Sequence, residues 1–262
     1  MRNEYEFEPI KKKRKTSIIP YIILIICVIS IIYNGTMIII YIMDNAKLEK
    51  QKEEISSKIV LAYDDEKQED IINNKNENYK IDFKSLKEQN SDTVGFLKVN
   101  GTDIESVVVK GNDNKFYLHH SFNKEKNAAG WIFADYANKF DGTDKNIIIY
   151  GHNMKNGTMF GTMKNILNDE WFIKEENRKI TFITENEYST FEVFSVYVIE
   201  SEDYYRKTEF IDNEFQNFIK VIKERSKYDF QVDVYNSNQI LTLSTCATNN
   251  KFRVVLHAIK IK

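Results

Sequence analysis

The chain has 262 residues, of which 42% are hydrophobic and 29% charged, a balance that is typical of globular proteins and excludes a disordered or collagen-like chain. Its 37 basic and 39 acidic residues give a formal net charge of −2, so the overall charge does not favour a nucleic-acid partner. The two cysteines, Cys27 and Cys246, lie in such different surroundings that we expect no structural disulfide between them. The sequence contains no closely spaced cluster of histidine and cysteine, and we expect neither a metal nor a cofactor.

The first element is a long apolar run. Residues Ser17 to Met43 form 27 consecutive positions without a charge, and about 20 residues suffice for a helix to cross a bilayer. A cleaved signal peptide would have a shorter apolar core and a small-residue cleavage site, so we predict a transmembrane helix that stays attached, with Cys27 as a small hydrophobe inside it. The basic stretch KKKRK at 11–15 precedes the span. The positive-inside rule therefore predicts a cytoplasmic tail at 1–16 and an extracellular remainder.

A charged segment at 44–81 follows the predicted span. From Lys47 to about Tyr63, apolar residues fall near one helical face, at Leu48, Ile55, Ile59 and Ala62. The polar stretch NNKNEN at 73–78 is typical of a connector. We predict a helical stalk and linker, in which the helix can pack on the domain that follows.

The remaining residues, 82–262, change to short β-branched and aromatic runs. Eight such runs predict eight strands and a barrel or sandwich: VGFLKV, IESVVV, WIFA, NIIIYG, KITFIT, TFEVFSVYVI, QILTLS and FRVVLHAIKI. Two helical insertions are predicted, one at about 159–167 and one at 212–226 with Asp212 as its N-cap. The domain is therefore predicted to be mostly β with helices on its surface.

Three side chains at predicted strand ends could carry chemistry. Cys246 ends the strand QILTLSTC and enters a polar loop, His152 follows the strand NIIIYG, and Arg253 opens the last strand. An imidazole can act as acid or base and maintain a thiolate, and a guanidinium can stabilise an oxyanion. Taken singly, each also has an ordinary interpretation: a buried cysteine, a hydrogen-bonded loop histidine, and a surface cation paired with an acid.

The ordered set of motifs resembles the sortase family, class B. YGHNM, LTLSTC and the following R-V-V are similar to the family's His, Thr-Leu-x-Thr-Cys and Arg signatures, and His152 and Cys246 are 94 positions apart. The stretch from Asp92 to Phe122 and the stretch NAAGWIFADYANKFDG are also similar to class B, as is the helix at 212–226. The chain departs from the pattern in the residue before V-V, usually proline, and in a short interval from Cys246 to Arg253.

The resemblance implies an eight-stranded sortase-type β-barrel at 82–262 and a cysteine transpeptidase of the thiol protease type. It implies that Cys246 attacks the threonine carbonyl of a sorting signal similar to Asn-Pro-x-Thr-Asn/Gly. His152 would move the protons and Arg253 would stabilise the oxyanion. The partners implied are the secreted protein that carries the signal, a peptidoglycan precursor amine such as the lipid II cross-bridge, and the membrane. The implied peptide-binding residues are Asn114, Leu118, Ser244 and Thr245. Tyr204, with its neighbour Tyr205, is a further candidate because the pair precedes the helix predicted at 212–226, and plain packing is the alternative for the pair.

Two other classes of protein remain alternatives. A papain-like or NlpC-type cell-wall cysteine peptidase would place its cysteine before its histidine, the reverse of this chain, and an L,D-transpeptidase would carry an S-H-G-C block. A non-catalytic receptor or adhesion module would keep Cys246 buried. Reaction of the folded domain with a thiol-reactive peptide analogue distinguishes the enzyme from the module.

Overall fold

The computed structural model of the protein describes residues 18–62, 78–235, 238–246 and 251–261. Helix α1 spans Ile19–Ser56 and is long and apolar enough to cross a membrane, with a mean hydropathy of 2.6 in its most apolar window. This helix contains most of the apolar run that was predicted from the sequence to span the membrane, and it is a candidate membrane span. The predicted cytoplasmic tail at 1–16 lies outside the described residues.

The chain divides after Lys47 into two compact units, and the second begins at Leu48. Within this second unit, Leu48 and Ile55 at the end of α1 are buried and belong to the main apolar cluster of the barrel. The predicted stalk helix is therefore partly correct, but it stops at Ser56. Ile59 and Ala62, predicted to continue it, bound strand β1 (Ile59–Ala62), which pairs with β2 (Asn78–Ile81). The β-branched pair Ile59-Val60 favours a strand where a partner strand is available. Residues 73–77 of the predicted connector lie outside the described part of the chain.

Eight strands form a closed barrel in the order β10-β8-β7-β3-β4-β5-β6-β9, which confirms the predicted number and architecture. Two neighbouring pairs are parallel, β4 with β5 and β6 with β9, and the others are antiparallel. The strands are β3 (Thr93–Val99), β4 (Glu105–Val109), β5 (Phe133–Ala134), β6 (Asn146–Gly151), β7 (Lys179–Ile183), β8 (Tyr188–Glu200), β9 (Ile240–Cys246) and β10 (Phe252–Lys260). Alternating apolar positions such as Leu241, Leu243 and Leu256 fill the barrel's main core.

Short helices connect the strands on the surface. They are α2 (Phe83–Gln89), α3 (Asp169–Phe172), α4 (Glu214–Glu224) and four 3₁₀ turns at Phe116–Leu118, Met163–Leu167, Glu175–Arg178 and Tyr204–Arg206. The helix predicted from Met159 is wrong at its start, because Met159 has φ +54°, a left-handed conformation that no helix contains. The helix there is limited to the 3₁₀ turn at Met163–Leu167.

Helix α4 confirms the apolar spacing predicted for 212–226 and corrects its first residue. Four side chains on one face are buried against residues of β8, β9 and β10, and they are Phe215, Phe218, Ile219 and Ile222. Asp212 is not the N-cap: it has φ +47°, the cap position is Asn213, and the helix begins at Glu214. The helix therefore covers the outside of the barrel next to β9.

Candidate active site at the ends of three strands

The barrel brings the three candidate catalytic positions to the same end of three adjacent strands. On the parallel strands β6 and β9, Gly151 is opposite Thr245, so the residues that follow them, His152 and Cys246, continue side by side. On β10, Arg253 is the Cα partner of Cys246. The side chain of Cys246 lies outside the described part of the structure. Its place at the end of β9 is fixed by the backbone pairing.

A cleft of about 120 Å³ opens beside these strand ends. Seven residues of its lining are ones that the sequence nominated, and they are Asn114, Leu118, His152, Tyr205, Ser244, Thr245 and Arg253. The other lining residues are Phe133, Tyr150, Gly151, Ser201 and Arg206. The cleft thus joins β6, β9 and β10 to the 3₁₀ turns at 116–118 and 204–206.

The imidazole of His152 is held in one orientation. Its Nε2 lies 2.8 Å from the carbonyl oxygen of Leu118, and because a carbonyl only accepts, Nε2 carries a hydrogen and donates it. The proton that this ring can exchange is therefore the one on Nδ1. Gly151 is needed beside it, because a Cβ at this position would lie 2.7 Å from the ring of Phe160.

A buried carboxylate beneath the cleft organises two of the lining residues. Asp135 is 5% exposed and accepts hydrogen bonds from the Tyr150 hydroxyl at 2.7 Å and the Asn114 amide at 2.8 Å. Burial and the neighbouring Asp135 raise the pKa of Tyr150, so its hydroxyl stays protonated as a donor. Tyr150 is not among the residues predicted from the sequence, although its place two residues before His152 puts it on the same side of β6.

Two hydroxyl groups of β9 reach the cleft in different states. The Ser244 hydroxyl is 3.0 Å from that of Tyr205. The Thr245 hydroxyl oxygen is buried and has no hydrogen-bond partner among the described residues. A buried polar atom without a partner is costly, so the Thr245 oxygen is an unsatisfied acceptor beside the cleft among the described residues.

Tyr204 does not line the cleft. Its ring packs 5.5 Å from the ring of Phe218 on α4 and lies under the guanidinium of Arg225 at 5.0 Å. The next two residues of the same turn, Tyr205 and Arg206, line the cleft in its place. A 3₁₀ turn directs successive side chains to different sides. The sequence alone does not show which of the two adjacent tyrosines is directed toward the cleft.

The barrel is closed, its cleft is open, and a cysteine, a histidine and an arginine lie at adjacent strand ends. These features are typical of an enzyme with a cysteine nucleophile on a β-barrel. Comparison with known proteins identifies the family. The family model described as "Sortase domain" matches residues 97–261. A curated relative, sortase B of Listeria monocytogenes, is 36% identical over 182 residues, which cover 68% of this chain and 72% of the relative.

Solved structures give the same result. The X-ray structure of Clostridium perfringens sortase B is 40% identical, with a TM-score of 0.63 over 69% of this chain and 100% of that one. A sortase B complexed with triglycine is 32% identical, with a TM-score of 0.64 over 69% of this chain and 85% of that one. The chain belongs to the sortase family and is a class B sortase, a cysteine transpeptidase of cell-wall anchoring.

Proposed function

We propose that this sortase cleaves a C-terminal sorting signal similar to Asn-Pro-x-Thr-Asn/Gly after its threonine and transfers the protein to a peptidoglycan amine. The observation that carries the proposal is the meeting of His152, Cys246 and Arg253 at the ends of β6, β9 and β10 beside one cleft. The sortase B relative complexed with triglycine supports an acceptor with a glycine amine. The lipid II cross-bridge is the acceptor that we assign to this chain.

In the first step, the Cys246 thiolate attacks the threonine carbonyl carbon and a tetrahedral oxyanion forms, to which Arg253 donates hydrogen bonds. The bond from this carbon to the next residue's nitrogen then breaks, and His152 gives the leaving amine the proton on Nδ1. Its Nε2 keeps its own hydrogen and donates it to the Leu118 carbonyl oxygen throughout. The product is a thioester between the threonine and Cys246.

In the second step, the acceptor amine attacks the thioester carbon and loses a proton to Nδ1 of His152. The carbon–sulfur bond breaks, the Cys246 thiolate leaves, and a new amide joins the protein to the acceptor. The imidazole ends the cycle with the proton that it began with, so one histidine serves both steps.

The cleft lining supports specific roles in peptide binding. Asn114 and Leu118 line it from the segment at the 3₁₀ turn 116–118, and Ser244 and Thr245 line it from β9. The Thr245 oxygen, which has no partner among the described residues, can bind a polar group of the peptide. From the tyrosine pair we assign the peptide contact to Tyr205 instead of Tyr204, because Tyr205 lines the cleft. Donors from Arg206 and Arg253 suit the carbonyl oxygens of an extended peptide.

The test is a product assay with the full-length chain in detergent micelles. Sorting peptides that vary in their five residues are incubated with triglycine, and the products are identified by mass. We expect the threonine–triglycine adduct with wild type, none with Cys246→Ala, and wild-type yield with the matched control Cys27→Ala. Adduct formation by Cys246→Ala would falsify the assignment, and hydrolysis without any adduct would identify a peptidase.

We further propose that residues 1–16 are cytoplasmic and that the barrel is extracellular, which is where secreted proteins and lipid-linked precursor meet. This rests on the basic residues at 11–15 before the apolar helix. Protease added to intact protoplasts should remove a C-terminal tag and spare an N-terminal one. The reverse pattern would refute this orientation.

A further inference from the structure

One wall of the cleft is a segment that belongs to no strand. Residues 201–207, which we call the cleft-wall segment, connect β8 to the loop before α4, and Ser201, Tyr205 and Arg206 within it line the cleft. A peptide in the cleft would contact this segment directly. The position of the cleft-wall segment therefore affects any peptide that binds in the cleft.

A fully buried asparagine in the barrel wall holds the backbone of this segment. Asn146, the first residue of β6, is 0% exposed. Its side-chain amide nitrogen donates to the carbonyl oxygen of Lys207 at 2.9 Å and to that of Tyr205 at 3.4 Å. Both amide hydrogens are directed at the segment, so the remaining polar atom of Asn146, Oδ1, must accept.

The acceptor Oδ1 of Asn146 begins a chain of buried hydrogen bonds with one direction. Thr242 donates to it at 2.6 Å, so the Thr242 oxygen accepts from Nδ1 of His257 at 2.8 Å. Nε2 of His257 then accepts from the Tyr197 hydroxyl at 2.9 Å. Thr242 and His257 are 0% exposed and Tyr197 is 4% exposed. In each of these pairs one group must donate and the other must accept, so every hydrogen bond in the chain has a fixed direction.

The outer end of the chain returns to the same segment. The Tyr197 ring lies under the guanidinium of Arg225, at the C-terminal end of α4, with 5.9 Å between Cζ and the ring centroid. Arg225 also forms an ion pair with Glu202 of the cleft-wall segment. We call Asn146, Thr242, His257, Tyr197 and Arg225 the buried relay. It holds the segment near both of its ends, at Glu202 and at Tyr205 and Lys207.

This chain of hydrogen bonds requires an uncharged His257 ring. A second ring hydrogen on Nε2 would face the Tyr197 hydroxyl, which donates to that nitrogen when the ring is neutral. Burial and the nearby Arg225 charge lower the pKa of His257 to about 3, so the ring stays neutral at ordinary pH. Besides Arg225, the rings facing His257 are Tyr197, Phe194 and Phe218.

We propose that the buried relay positions the cleft-wall segment for peptide binding, which makes Asn146, Thr242 and His257 positioning residues of this enzyme. They act through Tyr205 and Arg206, which face the cleft. The inference rests on the proposed peptide-cleaving function for its kinetic consequence. Its structural consequence, a held segment, is independent of the substrate.

Hydrogen exchange of the full-length chain in detergent micelles tests the structural consequence. Thr242→Val keeps the side-chain shape and removes the hydroxyl. The matched control is Thr93→Val, which removes another buried strand hydroxyl, one that donates to the backbone of Asn90, outside the relay. We expect amides of 201–207 to exchange about tenfold faster in Thr242→Val, a factor that matches one lost buried hydrogen bond. Amides of β7, which contains no relay residue and does not pair with Thr93, serve as the internal reference.

The kinetic measurement uses the sorting peptide that wild type cleaves. Thr242→Val and Asn146→Asp should raise its KM about tenfold. The rate of Cys246 alkylation by iodoacetamide should stay within about twofold of wild type, because the described lining of the cleft includes no relay residue. Thr93→Val should leave both values unchanged, whatever its effect on the melting temperature.

The outcomes separate the two proposals. Unchanged exchange at 201–207 in Thr242→Val, or an equal increase in Thr93→Val, overturns the relay. Unchanged KM in a variant with faster exchange overturns its link to peptide binding. If wild type cleaves no sorting peptide, the proposed function fails, and the exchange experiment still decides whether the relay holds the segment.

Discussion

Strands β9 and β10 have two faces that are equally buried and chemically different. One face points into the barrel, where Leu241, Leu243 and Leu256 belong to the main apolar core. The other face carries Thr242 and His257, also 0% exposed, and lies under α4 and the cleft-wall segment. Period-two alternation along a strand produces this division.

The difference shows two ways to bury a strand face. The inner face needs only shape and apolar area, which stabilise by removing hydrocarbon from water. The outer face must satisfy every donor and acceptor, because a buried polar group without a partner costs about 1–3 kcal/mol. The inner face therefore stabilises the barrel. The outer face fixes the direction of each hydrogen bond and with it the place of one cleft wall.

A cavity on the inner face should give the largest effect on stability. Leu256→Ala removes a fully buried side chain and should lower the free energy of unfolding by about 3 kcal/mol. Urea titration followed by tryptophan fluorescence measures it, since both tryptophans, Trp131 and Trp171, are buried in the barrel. The peptide KM of the folded variant should stay at the wild-type value. A large rise in KM would mean that the two faces are not independent.

Low pH should reduce the stability of the folded protein through His257 on the outer face. The unfolded histidine binds a proton near pH 6.5, whereas the folded one has its pKa lowered to about 3. Between these values the unfolded chain binds more protons, so the free energy of unfolding falls as the pH falls, by about 1.4 kcal/mol per pH unit well below pH 6.5. At pH 5 the loss is about 2 kcal/mol.

Comparison with His257→Gln isolates this contribution. The carboxylates titrate in both proteins and cancel, so the difference in unfolding free energy between wild type and variant should narrow with falling pH between pH 6 and 4. Parallel pH profiles would show that His257 does not remain neutral in the folded state.

Loss of one relay hydroxyl should have a smaller effect. Tyr197→Phe removes the donor to Nε2 of His257 and should lower the free energy of unfolding by about 1–2 kcal/mol. It should also speed amide exchange at 201–207. A variant as stable as wild type, with unchanged exchange, would limit the relay to the residues from Asn146 to His257.

An exposed ion pair on the same barrel should give the smallest effect. Lys179 and Glu192 face each other on β7 and β8 at 2.7 Å, with 38% and 30% of their side chains exposed. Lys179→Met should change the unfolding free energy by less than about 0.5 kcal/mol, because water already screens the pair. A loss equal to that of Tyr197→Phe would show that burial is not what distinguishes the relay.

Prediction from sequence succeeded where the signal was local. All eight barrel strands were identified, because runs such as NIIIYG and QILTLS are rich in β-branched residues and bounded by polar turns. The apolar face of α4 was identified by its helical spacing. The helix start at Met159 and the N-cap Asp212 were wrong, since left-handed backbone at these two residues depends on the surrounding loops.

The site residues that were predicted also have a local signal, and those that were missed lack one. His152, Cys246 and Arg253 were nominated because each lies at the boundary of a strong strand and its neighbouring motif. Arg206 and Asp135 were missed. Arg206 lies in a 3₁₀ turn away from any strand end. Asp135 directly follows β5, but its role depends on the bonds that it accepts from Asn114 and Tyr150, which are distant in the sequence.

The sequence by itself determined that an apolar helix precedes a β-rich domain, and that a histidine, a cysteine and an arginine lie at the ends of three strong strands. These properties follow from side-chain chemistry within a few residues. Only the tertiary structure decided that β6, β9 and β10 are neighbours, that Tyr205 and not Tyr204 faces the cleft, and that Asn146, Thr242 and His257 form one chain of bonds. Hydrogen bonds between buried groups depend on strand order and register, and barrel closure sets both.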